Sequence, residues 1–249
     1  AVELVGERNR DVQHEGEKTA PREGHAAVGR EGLGHEEPDG DEDDPRDGTP
    51  LLTNPSFDEG TLNGWTKAEG SATPAVAVWS AQSTNTTGTM SGLGSDDWGS
   101  NCEVYMAAFD IYQKLDYMPA GIYKFTCQGF WRTQGENVPA QLYAILPDGT
   151  EQVADLANIE DYATDEKLFG WGDWGDDYTI NGKYVPNCMS GAMFHFHHYT
   201  GDSEELDYTS TLRIRLDEPV ENLTIGVRTT SAKTWVIFDN FRSEEHTSE

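Results

Sequence analysis

Carboxylates stand at both borders of the foldable part of this 249-residue chain, each beside large apolar residues. At one border Asn54-Pro55-Ser56-Phe57-Asp58-Glu59-Gly60 precedes Asn63-Gly64-Trp65. At the other stands Thr234-Trp235-Val236-Ile237-Phe238-Asp239-Asn240-Phe241-Arg242. If the first and last strands pair, Asp58 or Glu59 comes near Asp239. A hard cation such as calcium collects its oxygen ligands from separate segments in this way. The competing reading is that Asp58 caps a turn and Asp239 hydrogen-bonds a neighbouring loop.

Two further segments combine indole rings with carboxylates. They are Ser95-Asp96-Asp97-Trp98-Gly99-Ser100 and Phe169-Gly170-Trp171-Gly172-Asp173-Trp174-Gly175-Asp176-Asp177-Tyr178. Exposed indoles stack on sugar faces, and carboxylates accept hydrogen bonds from sugar hydroxyls. Trp98, Asp97, Trp171, Asp173, Trp174 and Asp176 are therefore the candidate ligand-binding residues. Two alternatives stay open for the second segment: tryptophans turned inward as a plug, or a second calcium on Asp173, Asp176 and Asp177. Trp65, Trp79, Trp131 and Trp235 sit in strand or terminal patterns and are expected in the core.

Catalytic signatures are missing. His195 and His198 share a helical face, but no carboxylate stands at matching spacing and there is no His-Glu-x-x-His. No Gly-x-Ser-x-Gly or phosphate-cradling loop occurs. A glycosidase needs two carboxylates across a cleft, and in so acidic a chain some pair meets that by chance. No catalytic residue is assigned.

The elements that must position these residues are strands. Leu212, Ile214 and Leu216 alternate with Arg213, Arg215 and Asp217; Leu223, Ile225 and Val227 continue the pattern after Pro219. Phe109, Ile111 and Leu115 do the same. Met118-Pro119-Ala120-Gly121 supplies a turn before a strand over residues 122–131. Further strands are expected over residues 75–79 and 141–146. One short helix is expected from Asn187, with Met189, Ala192, Met193 and Phe196 on one face and Gly201 as its stop, covering one opening of the sandwich. Many short strands between Gly and Pro turns predict an all-β protein, an antiparallel β-sandwich or jelly roll with long loops.

Composition divides the chain. Residues 1–50 hold no aromatic residue and carry 15 acidic against 6 basic side chains. They read as disordered, either a linker or a stretch of non-native translation. Arg242 to Glu249 resembles the in-frame translation of a sequencing-library adapter, so Ser243–Glu249 is set aside as a scar, and the natural protein is expected to continue into other modules. Residues 51–242 remain, one domain with 27 acidic and 11 basic side chains. That charge disfavours nucleic acid, and no apolar run is long enough for membrane insertion. Cys102, Cys127 and Cys188 leave two readings: one Cys102–Cys127 bridge in an oxidising compartment, or three small buried hydrophobes.

Several stretches together carry a family resemblance: Asn54-Pro55-Ser56-Phe57-Asp58, Asn101-Cys102-Glu103-Val104-Tyr105, Pro119-Ala120-Gly121-Ile122-Tyr123, Tyr184-Val185-Pro186-Asn187 and Trp235 to Phe241. Nearly all of residues 51–242 resembles the galactose-binding-like jelly-roll domains of bacterial secreted and surface glycan-utilisation proteins. The resemblance implies carbohydrate as partner, a secreted or cell-surface location, and other modules on the same polypeptide. It also implies a structural Ca2+ at Asp58 and Asp239, with Glu59 as substitute. The expected function is that of a non-catalytic carbohydrate-binding module. The rivals are a structural spacer or adhesion domain and a glycan-degrading enzyme on the same scaffold.

Overall fold

Side chains alternate between the two faces of a strand, so one buried face writes a period of two into the sequence. A computed structural model describes residues 45–77, 100–163, 165, 179–180, 182–185, 189 and 208–246. These residues form β1 (Arg46–Asp47), β2 (Thr66–Lys67), β3 (Ala75–Ala77), β4 (Asn101–Tyr105), β5 (Phe109–Leu115), β6 (Gly121–Thr133) and β7 (Gln141–Ile145). After them come β8 (Glu151–Asp155), β9 (Ala157–Asn158), β10 (Thr179–Ile180), β11 (Lys183–Tyr184), β12 (Thr209–Leu216), β13 (Leu223–Thr229) and β14 (Thr234–His246).

The protein is an antiparallel β-sandwich. One sheet has seven strands, in the order β12-β6-β14-β4-β3, with β1 beside β14 and β9 beside β6. A second has five, in the order β2-β5-β13-β7-β8, and β10 pairs with β11 in a separate two-stranded sheet. Among the described residues only the short β6–β9 pairing is parallel. Between the sheets lies one apolar core that includes Phe57, Trp65, Cys102, Phe109, Phe125, Cys127, Trp131, Ile214, Ile225 and Phe238. β12 shows the expected register: Leu212, Ile214 and Leu216 are buried while Arg213 and Arg215 are exposed.

β6 and β14 depart from simple alternation because both their faces are covered over part of their length. Phe130, Trp235 and Ile237 point away from the core into a second apolar cluster with Ile159, Val185, Met189 and Tyr208. Met189, described as helical, thus packs on the outer face of the seven-stranded sheet and not over an opening of the sandwich. The remainder of the expected helix lies outside the described residues.

Two expectations need correction. The sheet extends past the boundaries at Leu51 and Arg242: Ser243–His246 pair with residues 122–125 of β6, and Arg46–Asp47 pair with Glu244–Glu245. Residues 45–50 therefore belong to the folded body. The reason is that ladder hydrogen bonds come from the backbone, so a polar segment can add to a free strand edge without burying apolar side chains. Residues 1–44 and 247–249 lie outside the described residues. Of the two cysteine readings, that of small buried hydrophobes holds for Cys102 and Cys127, which are free buried thiols; Cys188 lies outside the described residues.

Candidate functional site

The opening segment is held by backbone geometry that its sequence permits at a cost. Asn54 and Phe57 adopt positive φ, +48° and +53°. That is ordinary for Asn and strained for a bulky aromatic. The turn closes through Gly60 N–H to Phe57 O at 2.8 Å, and Asn54 Nδ2 donates to Thr61 O at 2.8 Å. The turn drives the Phe57 ring into the core, 5.2 Å from Trp65, 5.8 Å from Phe238 and 6.2 Å from Phe241 between centroids. Buried Gln113 of β5 clamps the same segment to the five-stranded sheet, donating to Thr53 O at 2.7 Å and accepting from Thr53 N–H at 2.9 Å.

On the opposite side the segment meets an irregularity in β14. Asp239 pairs with Gln128 and Arg242 with Thr126, so Asn240 and Phe241 together face one residue of β6. This is a β-bulge, and Asn240 takes φ +48° within it. The freed Phe241 N–H donates to Pro55 O at 3.0 Å. Asn240 Nδ2 donates to Gln128 Oε1 at 2.8 Å, locking the bulge to β6.

Asp239 is 2% exposed and accepts from Asn240 N–H at 2.7 Å. Burial pushes its carboxyl well above the usual range; the Asn240 N–H opposes this and the Asp58 carboxylate adds to it. Asp58 accepts from Ser56 Oγ at 2.7 Å, and Glu59 is turned to Asn63 Nδ2 at 3.1 Å within its own loop. Among the described residues no cation pairs with Asp58 or Asp239. Two carboxyl groups within electrostatic reach, one of them buried and neither paired with a cation among the described residues, form a donor pair that could hold a divalent cation. Among the described residues no three His, Cys, Asp or Glu side chains cluster.

Trp98, Asp97, Trp171, Asp173, Trp174 and Asp176 lie outside the described residues, but the chain ends that anchor their segments do not. Ala77 pairs with Asn101, Cys102 with Phe238, Asp239 with Gln128, and Gln128 with Thr209. One transverse row of the large sheet therefore runs Ala77, Asn101, Asp239, Gln128, Thr209. Residues 78–99 lie between Ala77, the end of β3, and Ser100, just before β4; residues 166–178 lie between Asp165 and Thr179, the start of β10.

The outer face of this sheet also carries a cluster that the sequence reading did not assign. Trp235 Nε1 donates to Glu103 Oε1 at 2.5 Å, and the Arg132 guanidinium carbon lies 4.0 Å from the Trp235 ring centroid. Tyr105, paired with Trp235, is 58% exposed. The alternation of Asn101, Glu103 and Tyr105 against Cys102 and Val104 was the available signal, though it names no partner strand. Nearby, an open depression of about 480 Å3 is lined by Trp131, Asn137, Asp155, Asn158 and Asp161 among others, groups able to hydrogen-bond hydroxyls. Among the described residues no helix is long and apolar enough to cross a membrane.

No family model and no curated protein matches the chain. Among solved structures, the carbohydrate-binding module TmCBM61, in complex with beta-1,4-galactotriose, is 14% identical over 79% of this chain and 98% of that one, with a TM-score of 0.40. A structure described as Family 16 Carbohydrate Binding Module-2 is 10% identical over 78% and 98%, TM-score 0.42. The enzymatically active domain of bacteriophage CBA120 tailspike protein 4 is 10% identical over 78% of this chain and 21% of that one, TM-score 0.38.

Proposed function

We propose that this sandwich is a non-catalytic carbohydrate-binding module of a larger secreted or cell-surface protein of bacterial type. The observation that carries the reading is the meeting of the opening Asn-Pro-x-Phe-Asp segment with the closing Phe-Asp-Asn segment at the β14 bulge, since these are the motifs on which the family resemblance rests. The ligand surface is assigned to Trp98 with Asp97 and to Trp171, Asp173, Trp174 and Asp176. Indoles would stack on sugar faces and the carboxylates accept from hydroxyls, in an open site of modest affinity. A structural calcium held by Asp58 and Asp239 would neutralise the buried carboxylate and tie the opening segment to the last strand.

Affinity electrophoresis of the full chain in gels containing soluble plant or host glycans tests this. At least one glycan retards the wild-type protein, and Trp98→Ala or Trp171→Ala abolishes retardation with an unchanged melting midpoint. A broad panel without retardation favours the spacer reading instead.

A further inference from the structure

The neighbour of β14 changes at the bulge. β6 accompanies β14 along its whole length. On the other side β4 pairs with Trp235–Phe238 and stops. Beyond the bulge the opening segment takes over: Pro55 O receives the Phe241 N–H, Gly48 N–H donates to Ser243 O at 2.8 Å, and β1 pairs with Glu244–Glu245. Asp239 stands at the joint, with the start of β4 on one side and the loop bearing Asp58 on the other.

Asn101 is the first residue of β4. Its neighbour Cys102 pairs with Phe238, and both of those side chains enter the main core. Asn101 and Asp239 come one step past the last paired residues of each strand, so continuing the register sets them opposite each other on the outer face. Directly opposed residues have Cβ atoms about 4.5–5.5 Å apart. Asn101 is 4% exposed, and its Nδ2 is buried without a hydrogen-bond partner. A buried, unpaired amide group is costly and calls for an explanation. A half-turn about the Cβ–Cγ bond exchanges the amide's nitrogen and oxygen, so the orphaned position takes Oδ1 as readily.

We infer that Asn101 supplies, through its side-chain oxygen, a third ligand to the divalent cation held between Asp58 and Asp239. The inference rests on the cation reading of those two carboxylates. The charges agree with it. Two carboxylates and one divalent ion sum to zero, and a neutral amide oxygen adds coordination to a buried site without restoring a net charge. It also gives the sharp end of β4 a role: the ion would bridge the two chain segments that share one edge of β14.

The test uses the full chain, freed of metal by chelation and titrated with Ca2+ by calorimetry, with melting curves in chelator alongside. The wild-type protein binds Ca2+. Asn101→Ala weakens binding by about tenfold or more while its midpoint in chelator is not lowered. Asn101→Asp tightens binding and lowers the midpoint in chelator, because a third carboxylate then joins two unneutralised ones. A purely structural amide would not produce that opposition. Asn101→Ala with wild-type affinity, or with a midpoint lowered equally in chelator and in Ca2+, overturns the assignment. If the wild-type protein binds no Ca2+, the cation reading itself fails and the ligand role falls with it.

Discussion

At the scale of the residue, burial sets the behaviour of the ionisable groups, and Glu103 shows how. Its Oε1 accepts from Trp235 Nε1. Burial raises its carboxyl above the ordinary glutamate range, and the Trp235 hydrogen bond and the Arg132 charge only partly oppose this. A folded-state value above the unfolded one means that the fold favours the protonated form. The associated stability is complete below the unfolded value and is lost as pH rises through the folded one. Glutamine keeps the acceptor for Trp235 and removes the charge. Glu103→Gln should therefore melt above the wild type at pH 7 and with it at pH 4, read by tryptophan fluorescence. A lower midpoint at pH 7 would make the ionised carboxylate a net stabiliser through Arg132. Phe57 illustrates the opposite balance. Its left-handed backbone is strained, yet full burial of the ring among Trp65, Phe238 and Phe241 holds it there. The sequence marks Phe57 as apolar but not as strained, because that conformation is imposed by contacts more than 170 positions away.

Among the elements, β13 lies close against both of its neighbours in the five-stranded sheet at Gly226. Gly226 pairs with Tyr112 on one side and Tyr143 on the other. A Cβ there would collide with Ile111 O and stand 2.8 Å from Tyr112 Cβ and 2.9 Å from Tyr143 Cε1. The first two obstacles cannot swing aside. Gly226→Ala should therefore destabilise the protein by about 1–3 kcal/mol in denaturant unfolding, the cost of an overpacked site. A wild-type midpoint would show that β13 can shift away from β5. The strands themselves were legible in the sequence, since Leu212-Ile214-Leu216 and Leu223-Ile225-Val227 each repeat every second residue. Their neighbours were not, because a period of two names a face and never a partner. The second apolar layer was hidden for a related reason. Phe130, Trp235 and Ile237 belong to strands buried on both faces, where alternation gives way to a continuous apolar run. The bulge left no trace at all, since two residues opposing one is a property of the pair of strands.

In the whole molecule the two ends of the folded body close on each other. Gln113 ties the opening segment to one sheet, Phe241 N–H ties it to the other, and Phe57 fills the space between. The motifs at residues 54–58 and 238–240 foretold this closure because each puts an aromatic beside a carboxylate. The reach of the sheet to β1 and His246 was invisible, as nothing in acidic, aromatic-poor composition signals backbone pairing. That Asp58 comes within electrostatic reach of Asp239 was legible for the same reason as the closure, whereas the place of Asn101 relative to Asp239 required the register. On the proposed reading, one bound ion spans the joint, so its removal should loosen the joint and leave the centre of the sandwich intact. Calcium at a hundredfold above its dissociation constant stabilises the native state by about 2.7 kcal/mol, worth roughly 5–10 °C for a domain of this size. Hydrogen exchange followed by mass spectrometry should locate the change. In chelator, peptides spanning residues 49–60 and 238–243 should exchange faster, while those from β5, β7 and β13 keep their protection. Equal exchange at the joint with and without calcium would mean that the aromatic contacts alone hold the ends together, and that the charge buried at Asp239 is relieved by a proton instead of a metal.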